Sequence, residues 1–145
     1  MPDATILAFD FGRKRIGVAI GNTIVGQARA LTTISASRKV DRDNEITALI
    51  REWQPQESVV GLPVHMDGTE HEITQGARAF AVWLGEQFSL PVHLVDERLT
   101  TQAAQSVLEE SGVRGNEAKA VRDAVAAQII LQAYLDERSV KAQDS

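Results

Sequence analysis

The sequence predicts an α/β domain built on a central five-stranded mixed sheet flanked by helices, in the order βββαβαβαα. Three observations lead there. Five short apolar runs are closed by glycine or by charged turns, as strands are. After the third run the apolar spacing changes to that of helices alternating with single strands. No Pro/Gly/Ser-rich linker, internal repeat or second composition regime interrupts the chain. Residues 1–138 are read as one domain and residues 139–145 as a short polar tail. A chain of 145 residues is long enough to bury roughly 70% of the surface its unfolded form exposes.

Residues 5–11, Thr-Ile-Leu-Ala-Phe-Asp-Phe, form a buried run ending at Gly12 and delivering Asp10 at its close. Residues 15–21 alternate and end at Gly21-Asn22, pairing with the first run as a hairpin. A weaker, β-branched run over 26–34 completes a meander. Beyond Ser35-Ala36-Ser37-Arg38-Lys39, the residues Ile46, Leu49, Ile50 and Trp53 share one helical face behind an acidic first turn, and Pro55 stops that helix. Residues 58–62 read as a buried strand and 63–68 as a loop. A long helix over 70–88 carries Ile73, Ala77, Phe80, Ala81 and Leu84 on one stripe. Leu90-Pro91 breaks it before the strand at 92–95, which runs into Asp96-Glu97-Arg98. Thr100 or Thr101 can cap a helix to about residue 110, and a last helix spans roughly 117–136. The first, fourth and fifth strands can then lie parallel through helical crossovers, with ligands expected at their carboxyl ends.

Composition excludes several chemistries. With no cysteine there is no thiolate nucleophile, disulfide or Cys-ligated zinc, so any metal is held by oxygen or imidazole. Residues 1–5 lack the basic start and apolar core of a secretory signal, and no apolar run reaches eighteen residues. A cytoplasmic protein without membrane association is expected. A net charge of −5 argues against indiscriminate coating of nucleic acid, yet leaves room for a local basic groove. Eleven of the fifteen cations are arginine, and Arg13-Lys14-Arg15 and Arg38-Lys39 with Arg42 stand close together.

Three acids stand where chemistry is expected. Asp10 lies at a strand end with Gly12 two residues on, a setting that also suits an ordinary turn. Glu97, with Asp96 beside it, follows another strand on the same rim of the sheet, where acids also favour a helix entry and pair with Arg98. Asp123 sits near the start of the last helix among Ala120, Ala124, Ala126 and Ala127, whose size lets the helix approach the sheet. An exposed ion pair with Lys119 is its plainer role. Together, three carboxylates from distant segments are what two Mg²⁺ or Mn²⁺ ions about 3.5–4 Å apart require to hydrolyse a phosphodiester with activated water.

These residues carry a resemblance. The blocks Asp10-Phe-Gly-Arg-Lys-Arg-Ile-Gly-Val-Ala19, Val60-Gly-Leu-Pro63 with Met66-Asp-Gly-Thr69, Val95-Asp-Glu-Arg-Leu-Thr-Thr101, and Asp123 ahead of Ala126-Ala127 and Ile129-Ile-Leu-Gln-Ala-Tyr-Leu135 resemble the YqgF/RuvX family of bacterial RNase H-like proteins. The resemblance covers the chain from about residue 7 to residue 135. It implies an RNase H-like fold and a divalent-metal nuclease that processes pre-16S rRNA at its 5′ end, with Holliday-junction resolution as the alternative. It assigns Asp10, Glu97 and Asp123 as catalytic and metal-binding, choosing Glu97 over Asp96 and leaving Asp96 as a helper. His65 departs from the asparagine that many relatives carry. His65, Asp67 and His71 match no strong metal motif and read as a polar loop. His93 lies within a strand and reads as structural, and Trp53 and Trp83 as core.

Arg13, Lys14 and Arg15, forming the turn beyond Asp10, are expected to touch the substrate backbone. Arg98 either orients Glu97 or binds phosphate. Two other functions compete: an ATP-clamping domain of the kinase and actin-like group, which uses two such domains and finds no phosphate loop here, and a silent RNA-binding assembly factor. Nucleic acid is the expected partner, with a ribosomal or assembly protein to position it, and the chain acts as a monomer or homodimer. A resolvase needs two sites facing two strands, so a strict monomer counts against that version.

Overall fold

The structure, a computed structural model, describes residues 4–35, 37–63, 72–97 and 116–144. Three strands, β1 (Thr5–Phe11), β2 (Ile16–Asn22) and β3 (Gln27–Ile34), are followed by α1 (Lys39–Trp53), β4 (Glu57–Leu62), α2 (Glu72–Phe88), β5 (Val92–Asp96) and α3 (Asn116–Asp144). The five strands make one mixed sheet in the order β3-β2-β1-β4-β5. β1–β2 and β2–β3 pair antiparallel, whereas β1–β4 and β4–β5 pair parallel. The expected meander and crossovers are both present. The helix expected before residue 110, the loop expected over 63–68 beyond Pro63, and the expected start of the following helix at 70–71 lie outside the described residues.

Alternation along β1 divides the core. Leu7 and Phe9 point to one face with Ile16, Val18, Ile34 and Val60, where Ile46 of α1 and Ala77, Phe80 and Leu84 of α2 cover them. Ile6 and Ala8 point to the other with Ala19, Ala28 and Val59, beneath Ala127, Ile130, Leu131 and Leu135 of α3. The first face is aromatic and deep, with Phe80 edge-on to Phe9 and beside Trp83. The second is lined by small residues, so one helix can lie close. Trp53 and Trp83 both pack against the first core, as expected.

On α2 the stripe differs by one position: Thr74 is fully buried where Ile73 is half-buried. The Thr74 hydroxyl donates to the Pro63 carbonyl, so its polar group is satisfied where β4 ends. α1 ends at Gln54, whose left-handed backbone (φ 46°) lets its N–H bond the Ile50 carbonyl ahead of Pro55.

α3 departs from expectation at its end, continuing to Asp144 where a polar tail was expected from residue 139. From Glu117 onward the sequence holds neither glycine nor proline, so nothing breaks the helix once its apolar stripe ends at Leu135. The same helix closes the exposed edge of the sheet. Gln132 Oε1 accepts from Ala28 N–H at 2.9 Å, Gln132 Nε2 donates to the Gly26 carbonyl at 2.9 Å, and Gln128 Nε2 donates to the Ala28 carbonyl at 3.2 Å. Among the described residues, no helix is long and apolar enough to cross a membrane.

Candidate active site at the carboxyl ends of the parallel strands

Asp10 is the penultimate residue of β1 and faces α3, in step with Ile6 and Ala8 below it. Directly opposite it across the hairpin stands Gly17. A Cβ built on Gly17 would lie 1.8 Å from the Asp123 carbonyl oxygen and 2.9 Å from the Ala124 nitrogen. The backbone of α3 therefore rests on β2 at this glycine, and that seat brings Asp123 beside Asp10. Ala124 and Ala127 are buried in the same approach.

β5 ends at Asp96, so Glu97 is released from strand alternation and turns back over the sheet. Gly61 of β4 receives it: a Cβ there would meet Glu97 Oε1 at 2.6 Å and Ile130 Cδ1 at 2.5 Å. Crossing β4, Glu97 hydrogen-bonds Asp10. Burial, then the bond to Asp10 and its charge, then the charge of Asp96, push the Glu97 carboxyl up to about 10. Burial also raises Asp10, helped by the charge of Asp123 and opposed by the bond from Glu97. Both carboxyls are thus pushed towards the protonated form, as in a pair of acids that shares one proton.

Asp123 accepts from Arg15 Nε at 2.5 Å, with both side chains largely sheltered. Asp123 meets Arg15 because the side of α3 carrying it faces the sheet, and the Lys119 side chain lies outside the described residues. Among the described residues no three acidic or histidine side chains are drawn to metal-ligand distance. The centre is a hydrogen-bonded pair with a third acid alongside, held by an arginine.

The other expected site residues fall around this centre. Arg13 and Lys14 are exposed on the β1–β2 turn, and Arg13 reaches Glu72 of α2 at 3.2 Å. Arg15 turns inward to Asp123. Asp96 stands next to Glu97 and adds to its proton affinity. Arg98, His65, Asp67 and His71 lie outside the described residues. His93 is structural: its Nε2 lies 3.0 Å from Glu57 Oε1, and its ring stacks on Tyr134 at the opposite end of the sheet. The two seats, Gly17 and Gly61, were missed by sequence reasoning. The signal was present as glycines inside apolar strands, which mark close approach by another group.

A family model described as "RuvX: Holliday junction resolvase" matches residues 4–137. The chain belongs to the RuvX family. This RuvX-family chain is 52% identical over 135 residues to a Nitrosospira multiformis protein named "Putative pre-16S rRNA nuclease", covering 93% of this chain and 89% of that one. It is 53% identical over 142 residues to a Nitrosomonas europaea protein of the same name, covering 94% and 96%. Among solved structures it resembles T. thermophilus RuvC in complex with a Holliday junction substrate, with a TM-score of 0.57 and 15% identity over 93% of this chain and 95% of that one. At that identity the likeness is one of fold, and the fold of this RuvX-family member is RNase H-like.

Proposed function

We propose that this chain is a divalent-metal-dependent endonuclease that hydrolyses phosphodiester bonds of pre-16S rRNA at Asp10, Glu97 and Asp123. The observation that carries the reading is the Asp10–Glu97 pair: two carboxyls buried and hydrogen-bonded to each other at the carboxyl ends of parallel strands. Such a pair costs folding free energy, and acids perturbed in this way cluster at functional sites. The donors are all carboxylate oxygen, the set that Mg²⁺ and Mn²⁺ prefer. Bound there, such an ion supplies positive charge to the reacting phosphate and activates water for attack.

The chain's own residues do the rest. Asp10 is fixed by the strand, Glu97 reaches it because Gly61 leaves room, and Asp123 is presented by α3. Arg15 orients Asp123, Asp96 helps to set the protonation of Glu97, and Arg13 and Lys14 present cations to the substrate backbone. Arg98 directly follows Glu97 in sequence and is assigned to binding the substrate's phosphate. The net charge of −5 leaves part of the positioning to a ribosomal or assembly protein, and an rRNA substrate places the work in the cytoplasm.

The relatives' shared name favours pre-16S rRNA, and the description of the family model keeps four-way DNA junctions as the second reading. Both are tested by incubating labelled pre-16S rRNA fragments and a four-way junction with Mn²⁺ or with EDTA. The expected result is cation-dependent cutting of the RNA, lost by a factor of about 10²–10³ or more in Asp10→Asn, with unfolding little changed. Preferential cutting of the junction would transfer the assignment to resolution, and equal cutting by Asp10→Asn would remove this site from the reaction.

A further inference from the structure

On the other side of the β1–β2 turn lies a second cationic feature. A cavity of about 220 Å³ is walled by Arg13, Lys14 and Arg15 from the turn and by Arg38, Lys39 and Arg42 from the start of α1. Six cations thus converge from segments more than twenty residues apart in a protein whose net charge is −5. Acids border them without filling the space. Arg38 pairs with Asp41 at 2.9 Å, Arg42 with Asp43 at 3.3 Å, Arg13 with Glu72 at 3.2 Å and Arg15 with Asp123. Each guanidinium carries five N–H donors, so donors remain beyond those pairs.

The cations at the start of α1 are poorly placed for stability. Arg38 and Lys39 stand at the positive end of the helix dipole, where anions are favoured, and Arg38 makes no capping hydrogen bond. A local rule broken at both residues, with only the exposed Arg38–Asp41 pair in return, points to a binding role. Arg42, by contrast, is held firmly, with its guanidinium 5.8 Å from the Phe11 ring and 5.7 Å from the Phe80 ring. The cavity lies beside the acids without containing them. Gly12 in its wall is two residues beyond Asp10, and Arg15 both lines the cavity and holds Asp123.

We infer that this cavity takes a backbone phosphodiester of the substrate strand, away from the bond being cut, with Arg38, Lys39 and Arg42 completing a clamp begun by the turn. The inference rests on the nuclease reading above and assigns that enzyme a strand-anchoring site. Planar guanidinium groups and point-charge ammonium groups in one concave wall suit a phosphate, and contacts of this kind fix register without reading sequence.

The test measures RNA binding in EDTA, where cutting is off, using labelled single-stranded oligonucleotides with either a 5′-phosphate or a 5′-hydroxyl. Arg38→Ala/Lys39→Ala removes two exposed cations, and Arg51→Ala, at the far end of α1, is the charge control. The double variant is expected to raise Kd by about tenfold and to lower the slope of log K against log salt by about 0.7, the loss of one neutralised phosphate. The same change for both oligonucleotides, an unchanged Tm and wild-type behaviour in Arg51→Ala complete the expected result. An unchanged Kd and slope in the double variant, with wild type binding normally, would overturn the clamp and leave the nuclease reading standing. A loss confined to the 5′-phosphorylated oligonucleotide would overturn the backbone assignment in favour of a terminal phosphate. Failure of wild type to bind or cut any RNA would overturn both.

Discussion

At Glu97 the strand has just ended and a carboxyl group turns back to lie on Asp10. Both acids are raised in the folded protein, so above the ordinary carboxylate range the folded chain holds protons that the unfolded chain has released. Stability of the metal-free protein therefore falls as pH rises from the ordinary glutamate value of 4.5 towards about 10. Thermal unfolding in EDTA is expected to show a Tm that declines between about pH 5 and about pH 9, and saturating Mn²⁺ is expected to flatten the decline. A Tm that holds across this range in EDTA would contradict the shared proton. The acids themselves were legible in the sequence as carboxylates at strand ends. The shared proton was not, because it depends on how far Glu97 folds back, which only the end of β5 decides.

At the scale of elements, two glycines set the spacing. Gly17 faces backbone: its added Cβ would meet the Asp123 carbonyl at 1.8 Å, and a helix backbone cannot yield locally. Gly61 faces the ends of two side chains, Glu97 and Ile130, which can rotate away. Gly17→Ala is therefore expected to cost about 1–3 kcal/mol or more and to carry Asp123 out of place. Gly61→Ala is expected to cost less stability but still impair cleavage, because Glu97 can no longer reach Asp10. Denaturant unfolding and a cleavage assay on both variants separate the two, and a Gly61→Ala enzyme as active as wild type would show that Glu97 does not need this seat. Strand and helix order followed from apolar spacing, and the small residues of α3 signalled its close approach. Its far end was misread because the apolar stripe stops at Leu135 while helical backbone continues for want of a breaker.

Across the whole molecule, chemistry and stability occupy opposite ends of the sheet. At the carboxyl ends of β1 and β4 are the acids. At the start of β4, Glu57 accepts from Tyr134 at 3.1 Å and from Arg138 Nη1 at 2.7 Å, with His93 Nε2 at 3.0 Å. Tyr134 and Arg138 lie on α3 as Asp123 does, and Arg138 is about 22 Å further along the helix. The pin at Glu57 thus fixes the angle at which Asp123 arrives. These partners hold Glu57 below its ordinary value of 4.5 despite its burial, so its contribution is present above that value and is lost as pH falls through the lowered one. Arg138→Ala is expected to destabilise the protein by about 1–2 kcal/mol at neutral pH, with the deficit shrinking in acid. A deficit that persists unchanged in acid would assign the loss to packing. No motif announced this pin, since its members are scattered over more than eighty residues and only the parallel pairing of β4 with β5 and the docking of α3 bring them together.

The claim beneath all of this is that Asp10, Glu97 and Asp123 form one site in which a divalent cation displaces the shared proton. Its most direct test is calorimetric titration with Mn²⁺ near neutral pH in buffers of different ionisation enthalpy, on wild type, Asp10→Asn and Glu97→Gln. The account predicts binding to wild type with release of about one proton, and loss of that binding in both variants. Undiminished Mn²⁺ binding in the variants, or binding to wild type without proton release, would contradict it.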